Sequence, residues 1–430
     1  MKTFLKSVVV KVLIIEASWL LKRHKPTIVA ITGSVGKTTT KDAIYAAVKN
    51  SVSARKSEKS FNSEIGVPIT VLGLRNAWGN PALWLKNIID GFFIALFSKQ
   101  YPSVLILETG IDRPGDMGRL TAWIKPDIVV LTRLPAVPSH VEFFPTPQDV
   151  IDEKMKLVSA LKPEGILVYN QDDSIIEAQL PLVLQRRLGF SRYLPSDFQG
   201  NADRTVYADD RAIGMAFTLN HVDDSLDITV RDTIGSQQVY SCTAAAAVAH
   251  ALGIPLNEAV PSMQELRTPN GRMRIIEGIK STTIIDDTYN SSPVAAEQAL
   301  QTLNEVRYTN RKIAVLGDML ELGRFSSEEH EKIGHLVAKT SNMLVTVGVR
   351  ARQIAQGALD MGMDEAVILQ YEDAVQAGRE LQGLLQAGDV VLVKASQGIR
   401  LERLVEEIMA HPEQSGELLV RQDEEWIKRK

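Results

Sequence analysis

The sequence is poor in cysteine and carries no large excess of charge of either sign. Cys242 is the single cysteine among 430 residues, which excludes an intrachain disulfide and favours a reducing compartment. It borders an alanine-rich run, where a small buried side chain is expected rather than a nucleophile. The formal net charge is −4, and no dense basic tract is present, so the sequence indicates no nucleic-acid partner.

The N-terminal segment lacks the unbroken apolar run of a signal peptide or of a membrane-spanning helix. Six basic side chains lie within residues 1–25, and Lys11 and Glu16 interrupt the apolar stretches, whereas a spanning helix needs ~20 predominantly apolar residues. We expect a cytoplasmic protein whose first helix packs on the protein itself. The alternative is peripheral contact with an anionic membrane surface through residues 1–22 and the apolar residues 84–97.

Short apolar runs alternate with helical segments from Thr27 onward. A chain of 430 residues is too long for one compact core. The runs that predict buried strands are residues 28–31, 104–107, 128–131, 166–168, 283–285, 313–316, 344–347 and 390–393. Because continuous apolar strands separated by helices are typical of parallel sheets covered on both faces, we expect an α/β fold.

Two further patterns divide this series. Polar and apolar residues alternate between about residues 204 and 239, which predicts an antiparallel patch, and an alanine-rich helix follows from Thr243 to about Leu252. Turn-forming residues at Thr268–Gly271 predict a domain boundary. The predicted units are residues 1–26, 27–268 and 269–430, with a ligand-binding cleft between the two larger units.

A glycine-rich turn, Thr32–Thr40, lies between the first predicted strand and the helix that follows it. Its glycines let backbone N–H groups point at phosphate oxygens, and the helix N-terminus adds partial positive charge. Lys37 would neutralise the outer phosphates of a nucleotide and Thr38 would ligate Mg²⁺. The complete motif would require glycine at Ile31, so the loop is a shortened variant. The predicted nucleotide-binding residues in this loop are Gly33, Ser34, Val35, Gly36, Lys37, Thr38 and Thr39.

Two polar residues are candidates for a metal site beside this loop. Glu108 ends a predicted strand, where a parallel sheet delivers side chains to its active edge. His140 follows the next strand in a proline-containing loop. A carboxylate and an imidazole near bound phosphates could complete the coordination of one or two divalent ions, although either residue could also be structural or solvated. Lys154, on a predicted helix, is by default expected to face solvent.

Seven segments together resemble the Mur ligases, and most closely the branch that adds D-alanyl-D-alanine to the muramoyl tripeptide. The resemblance extends from about Thr27 to Glu407. The segments are, in chain order, Thr32–Thr40, Ser60–Pro68, Leu107–Asp116, Gly271–Arg272, Ile285–Pro293, Leu316–Gly323 and Val393–Gly398. Several matches in one order are far more specific than any single motif.

The resemblance implies an ATP-dependent ligase that forms an amide bond. In such an enzyme a carboxylate attacks the γ-phosphate of ATP, and the acyl phosphate then reacts with an amine to give an amide, ADP and phosphate. The implied substrates are a cell-wall peptide precursor and a D-alanyl-D-alanine-type dipeptide or an amino acid. The implied fold is a central P-loop ATPase domain with a mostly parallel sheet plus a C-terminal Rossmann-like α/β domain.

The resemblance also implies roles for individual residues. The implied ligands of two Mg²⁺ ions are Thr38, Glu108, His140 and Lys154, the last as a carbamylated lysine. The residues implied to act in catalysis are Lys37, Lys154, His140 and Arg272. Asn290 would contact the adenine, Asp318 the ribose, and Asn62 the acyl substrate. Carbamylation requires a neutral amine, so the surroundings of Lys154 should lower its pKa.

The sequence departs from this family at three places and leaves other functions open. Only 26 residues precede the first predicted strand, too few for the family's UDP-sugar-binding domain, so recognition of a UDP-sugar is not assured. Lys156 stands where an acid commonly follows the modified lysine, and Gln237-Gln238 replace a common His-Asn pair.

One alternative function is that of a Mur-type ligase for a polyglutamate-type or lipid-linked carboxylate. The other is a P-loop switch ATPase without ligase activity, which leaves the second α/β unit unexplained.

Overall fold

The computed structural model describes residues 2–58, 62, 64–307, 310–423 and 426, and of residues 2–5 it describes the backbone alone. Ser60, Phe61 and Ser63 of the predicted substrate-side loop, and Met1, lie outside the described residues. No described helix is both long enough and apolar enough to cross a membrane.

The first sheet lies at the centre of the N-terminal part. Its strands are β1 (Thr27–Thr32), β2 (Ala54–Lys56), β3 (Val104–Glu108), β4 (Ile128–Leu131), β5 (Ile166–Asn170), β6 (Arg186–Ser191), β7 (Phe198–Ala208), β8 (Arg211–His221) and β9 (Asp224–Arg231). They lie in the order β2-β3-β1-β4-β5-β6-β7-β8-β9. The strands from β2 to β7 pair in parallel, and β7, β8 and β9 pair antiparallel. The predicted antiparallel patch is thus confirmed, as a continuation of the parallel sheet.

Helices cover both faces of this sheet. They are α1 (Lys2–His24), α2 (Lys37–Val48), α3 (Gly66–Leu72), α4 (Pro81–Phe97), α5 (Asp116–Thr121), α6 (Pro147–Ser159), α7 (Ser174–Gln179), α8 (Ser236–Ala251) and α9 (Leu256–Gln264). In β1, Val29 and Ile31 face a core shared with α2, α8 and α9, whereas Ile28 and Ala30 face a core shared with α1, α3 and α6. This alternation follows from the two-residue period of a strand.

The second sheet belongs to the C-terminal part. Its strands are β10 (Arg274–Gly278), β11 (Thr282–Asp287), β12 (Lys312–Gly317), β13 (Met343–Val347), β14 (Ile368–Tyr371) and β15 (Val390–Lys394), in the order β10-β11-β15-β12-β13-β14. All neighbours pair in parallel except β10 and β11. The helices of this part are α10 (Pro293–Glu305), α11 (Ser326–Thr340), α12 (Arg352–Asp360), α13 (Ala374–Leu384), α14 (Glu402–Ile408) and α15 (Ser415–Leu418). The domain limits at residues 26 and 268 stay a prediction.

The predicted α/β class and all eight predicted strands are confirmed, and one local prediction is wrong in detail. The alanine-rich helix α8 begins at Ser236 rather than at Thr243, because the polar residues before the alanines are also buried in it. Ser292 occupies the N-cap of α10, but its side chain makes no capping hydrogen bond. The N-terminal segment is helical, and α1 packs against α3 and α4.

Candidate active site

The phosphate loop wraps tightly between β1 and α2. Gly33 and Gly36 have positive φ angles of 144° and 87°, which side chains other than glycine rarely adopt. A Cβ atom at Gly33 would collide with the Thr132 hydroxyl, and one at Gly36 would collide with the Gln237 amide. The loop therefore requires glycine at both positions for conformation, and at Gly33 also for space, since the Arg133 backbone lies close to it.

Two lysines converge on the same carbonyl oxygen of this loop. Lys37 Nζ donates to Gly33 O over 2.8 Å, and Lys154 Nζ donates to it over 3.1 Å. Loss of hydration lowers the pKa of Lys37, against the opposing charge of Glu108. Repulsion between two ammonium groups this close together favours the neutral form of one of them. The site thus places a cation and an amine of lowered pKa where the outer phosphates of a nucleotide would lie.

Lys154 is buried, so the expectation that it faces solvent is wrong. Its side chain is 2% exposed, because it lies on the same stripe of α6 as the buried Val150, Val158 and Leu157. A capping box at Thr146 sets the start of that helix. Burial, and next the charge of Lys37, hold the pKa of Lys154 well below its ordinary value. The three- and four-residue spacing from Val150 to Val158 is a sequence signal that could have predicted this burial.

Glu108 reaches the phosphate loop from the end of β3. The carboxylate is 1% exposed, and its Oε1 accepts hydrogen bonds from Thr38 Oγ1 at 3.1 Å and from Asn62 Nδ2 at 3.4 Å. Its Oε2 lies 3.6 Å from Lys41 Nζ and makes no hydrogen bond to a described residue. A buried carboxylate with an unsatisfied oxygen beside a threonine hydroxyl suits a Mg²⁺ ligand set. The structure thus brings together Thr38, Glu108 and Asn62, and their roles as metal ligands and substrate contact stay predictions.

His140 makes contacts different from those of Glu108. It adopts a left-handed conformation (φ 67°), and its Nδ1 lies 2.6 Å from Glu321 Oε2. Its Nε2 lies 4.0 Å from Asp112 Oδ1. The nearby imidazole holds the pKa of Glu321 below its usual value. His140 therefore joins the N-terminal part to the C-terminal part.

Arg272 crosses from the C-terminal part to the phosphate loop. Its guanidinium donates to Thr38 Oγ1 over 3.5 Å and lies 4.1 Å from the centroid of the Tyr289 ring. Its Nε is buried and makes no hydrogen bond within the described part of the chain. An arginine with a free N–H group directed at a phosphate loop suits contact with a phosphate.

Asp287 and Lys394 form a buried ion pair that sequence reasoning missed. Lys394 Nζ lies 2.6 Å from Asp287 Oδ2 and also donates to Asn290 O over 2.9 Å. Burial lowers the pKa of Lys394, against the pull of Asp287. Both residues end parallel strands, β11 and β15, which is the signal that could have identified them. They line a pocket with Arg272 and the loop residue Gly36.

Asn290 and Asp318, the predicted adenine and ribose contacts, lie outside the lining of this pocket. Asp318 follows β12, and its Oδ1 accepts a hydrogen bond from Ala351 N over 2.8 Å. Lys394 bonds to the backbone of Asn290. The structure places both residues at the carboxyl edge of the second sheet and leaves their ligand contacts as predictions.

A larger cleft lies between the two parts, and Thr38 and Arg272 belong to its lining. Among described residues, the basic side chains that line it are Lys41, Lys56, Arg231, Arg267, Arg272, Arg274 and Arg421, and the acidic ones are Asp42, Asp232, Glu417 and Asp423. The excess of basic groups suits a substrate with several negative charges. Sequence reasoning did not identify this lining, because its members come from distant parts of the chain.

Comparison with protein families decides the classification. The Mur ligase middle domain matches residues 31–83 and 87–249, just over half of the chain. The Mur ligase, glutamate ligase domain matches residues 271–397. The chain belongs to the Mur ligase family. Members of this family are ATP-dependent ligases, and the predicted enzyme class is confirmed.

Individual Mur ligases resemble the chain over most of its length. The UDP-N-acetylmuramoyl-tripeptide--D-alanyl-D-alanine ligase of Bacillus subtilis (strain 168) is 26% identical over 90% of this chain and 76% of its own. The structure of MurF ligase from Thermotoga maritima in complex with ADP superimposes with a TM-score of 0.74 at 26% identity, over 93% of this chain and 83% of that one. Folylpolyglutamate synthase of Mycobacterium tuberculosis has a TM-score of 0.63 at 14% identity, over 90% of this chain and 93% of its own, which shows a shared fold alone.

Proposed function

We propose that the protein uses ATP to activate the carboxylate of a cell-wall peptide precursor and joins it to a D-alanyl-D-alanine-type dipeptide or an amino acid. The relatives named for that reaction support the choice of substrates. The observation that carries the proposal is the approach of Arg272 to Thr38 over 3.5 Å. It brings a cation of the C-terminal part to the phosphate loop, where a transferred phosphoryl group would lie between the two parts.

The proposed chemistry begins with attack of the substrate carboxylate on the γ-phosphorus of ATP, which breaks the bond to the bridging oxygen, releases ADP and forms an acyl phosphate. Lys37 and Arg272 would stabilise the charge of the transferred group, mainly by position and electrostatics. Thr38, Glu108 and the other predicted ligands would hold Mg²⁺, which when bound neutralises phosphate oxygens. The basic cleft would orient the rest of the acceptor. The amine would then attack the acyl phosphate and release phosphate.

Lys154 is the proposed site of carbamylation. A neutral amine adds to CO₂ and loses a proton, which gives a carbamate with a negative charge. Burial keeps the amine of Lys154 neutral more readily than an exposed lysine. The group would add an anionic ligand for a second Mg²⁺ ion, in keeping with the proximity of Lys37 and the phosphate loop. His140 would offer Nε2 as a ligand, since Glu321 contacts its Nδ1.

Ligation assays with Arg272→Ala test the proposal. We expect roughly 10²–10³-fold slower ligation with ATP binding almost unchanged, because Arg272 would act on the transferred phosphoryl group. Arg379→Ala, an exposed arginine on α13, is the matched control and should ligate at the wild-type rate. Phosphate release from ATP that is the same with and without paired carboxylate and amine would instead identify a switch ATPase.

A substrate panel distinguishes three classes of carboxylate acceptor. UDP-muramoyl peptides, lipid-linked peptides and glutamate polymers should be compared at equal concentration, each with D-alanyl-D-alanine and with single amino acids. Formation of ADP together with a new amide identifies the true pair. We expect a muramoyl peptide to be used best, and exclusive use of a glutamate polymer would contradict the proposed substrate.

We also propose that the enzyme works in the cytoplasm with peripheral membrane contact through residues 1–22 and 84–97. The support is that these segments form neighbouring helices, α1 and α4, with apolar side chains on their outer surface.

A further inference from the structure

Helices α1 and α4 present an apolar surface on the side that faces away from the protein core. The buried residues of α1 include Leu13, Ala17 and Leu20, spaced three and four residues apart. Such a helix normally carries polar residues on the opposite side. Here large apolar side chains lie there instead, and we call this surface the α1–α4 face. Its prominent members, with their exposed fractions, are Ile15 (50%), Trp19 (45%), Ile89 (48%), Phe92 (43%), Phe93 (56%) and Phe97 (65%).

The two helices are held together in a defined arrangement. The Arg23 guanidinium of α1 donates to the carbonyl oxygens of Ala95 and Leu96 in α4. Glu16 of α1 lies against Gly91 of α4, where an added Cβ atom would meet the Glu16 carboxylate. The two helices therefore hold their exposed side chains in a fixed relation to each other. Contiguous exposed apolar surfaces of this kind mark interaction sites.

Basic side chains accompany the α1–α4 face. Lys11 and Lys22 are exposed and share a helical stripe with Ile15 and Trp19, at spacings of four, four and three residues. The acidic residues of the two helices are Glu16, which is buried, and Asp90, which pairs with Lys86. This surface is thus positive, whereas the whole chain has a net charge of −4.

The charge distribution favours one occupant over the alternatives. A second copy of the chain on this face would bring two sets of basic side chains together in an apolar contact, which is unfavourable. An anionic bilayer would complement both features, since lysines extend toward lipid phosphates while aromatic rings enter the boundary with the acyl chains. We propose that the α1–α4 face docks on an anionic lipid bilayer.

Docking would place the reaction cleft next to the membrane. Trp78 lines the basic cleft and is 38% exposed. Its carbonyl oxygen accepts a hydrogen bond from the indole of Trp84, in the first turn of α4, over 2.9 Å. The mouth of the cleft therefore opens at the N-terminal end of α4. Docking itself requires neither ATP nor ligation. It rests on the proposed peripheral contact and adds the surface and the lipid charge that this contact needs.

Co-sedimentation of the full chain with lipid vesicles tests the docking. We expect binding to vesicles of phosphatidylcholine with phosphatidylglycerol, little binding to phosphatidylcholine alone, and weaker binding at high salt. Ile15→Glu and Phe93→Glu should each weaken binding about tenfold, and Lys11→Glu with Lys22→Glu should weaken it further. Both apolar positions are half exposed, so the variants should fold.

Two matched controls locate the effect. Val222→Glu replaces an exposed apolar residue (86%) in the turn between β8 and β9, and Lys339→Glu reverses an exposed charge on α11. Both should bind vesicles like the wild type. Binding that survives Ile15→Glu and Phe93→Glu, or no binding to either vesicle, would overturn the proposal. A dimer that Phe93→Glu converts to a monomer, without vesicle binding, would assign the face to a second copy. Ligation measured without vesicles separates these outcomes from failure of the proposed function.

Discussion

At the scale of single residues, Arg272 is oriented by an aromatic ring. The centroid of the Tyr289 ring lies 4.1 Å from the Arg272 guanidinium and 5.6 Å from the Arg421 guanidinium. Arg421 is itself fixed, because it donates to the carbonyl oxygens of Thr288 and Tyr289 and pairs with Glu402. The C-terminal segment of the chain thus supports the arginine that we assign to the phosphoryl group.

Replacement of Tyr289 tests this support. In Tyr289→Leu we expect kcat to fall about tenfold with little change in KM for ATP, because loss of the cation–π contact frees the Arg272 guanidinium. Tyr289→Phe keeps the ring and should retain the wild-type rate. Steady-state ligation kinetics measure both. When Arg272→Ala is already present, adding Tyr289→Leu should not lower kcat further. An additive loss of kcat would show that the ring acts through a residue other than Arg272.

Carbamylation of Lys154 has a spectroscopic test. Labelled bicarbonate should give a carbamate carbon signal in the wild type and none in Lys154→Ala, because the lowered pKa favours the neutral amine, which is the form that adds CO₂. Ligation by Lys154→Ala should fall below roughly one hundredth of the wild-type rate, with no recovery on adding bicarbonate. Lys156→Ala, on the same helix but half exposed, is the control. A wild-type rate in Lys154→Ala would refute the assigned role.

At the scale of elements, one acidic side chain of α1, Glu16, is buried where this helix packs against α4. Glu16 is 3% exposed, and its Oε2 makes no hydrogen bond to any residue that the structure describes. Burial raises the pKa of this carboxyl to about 7. The folded protein therefore holds a proton that the unfolded chain releases near its ordinary pKa of 4.5. The contribution of Glu16 to stability is therefore greatest below that pH. It is lost progressively as the pH rises to about 7, and it does not change further above about 7.

Glu16→Gln should remove this pH dependence. Above about pH 7 we expect the variant to be more stable than the wild type by about 1–2 kcal/mol, since it carries no charge to bury, and below about pH 4.5 the difference should vanish. Urea unfolding over a pH series measures it. Glu406→Gln, an exposed position on α14, should change stability little at any pH. Equal stabilisation by Glu16→Gln at low and high pH would contradict the argument.

Element prediction succeeded where burial alone decided the structure. The strands β1, β3, β4 and β5 are continuous apolar runs, so their pattern was sufficient. β2 consists of Ala54-Arg55-Lys56 and has no such pattern; pairing with β3 makes it a strand. The prediction that Lys154 faces solvent was wrong because it followed the charge of the residue. The apolar stripe on which Lys154 lies was not taken into account.

At the scale of the whole molecule, His140 Nδ1 contacts Glu321 Oε2 across the two parts, at 2.6 Å. The same imidazole is a predicted metal ligand, and the two roles have different consequences. As a ligand, His140 would offer its second ring nitrogen, Nε2, while Glu321 on Nδ1 orients the ring. As a structural contact, it would hold the two parts together throughout the reaction.

A pair of variants separates these roles. If His140 is a ligand, His140→Ala should slow ligation by roughly 10–100-fold and weaken the apparent affinity for Mg²⁺. Glu321→Gln should have a smaller effect, because it weakens only the contact that orients the imidazole. Ligation rates over a Mg²⁺ titration measure both. Equal losses in the two variants, without a change in Mg²⁺ affinity, would assign His140 to the contact between the parts.

The sequence by itself determined the phosphate loop, the alternation of strands and helices, and the family to which the chain belongs. These depend on local patterns: glycine spacing, apolar runs and motifs in a fixed order. The tertiary structure decided which of the candidate residues share a site, since Thr38, Glu108 and Arg272 lie far apart in the chain and meet only when the sheets are assembled. It also decided that the outer side of α1 and α4 stays apolar and exposed, because exposure depends on which neighbours cover a helix.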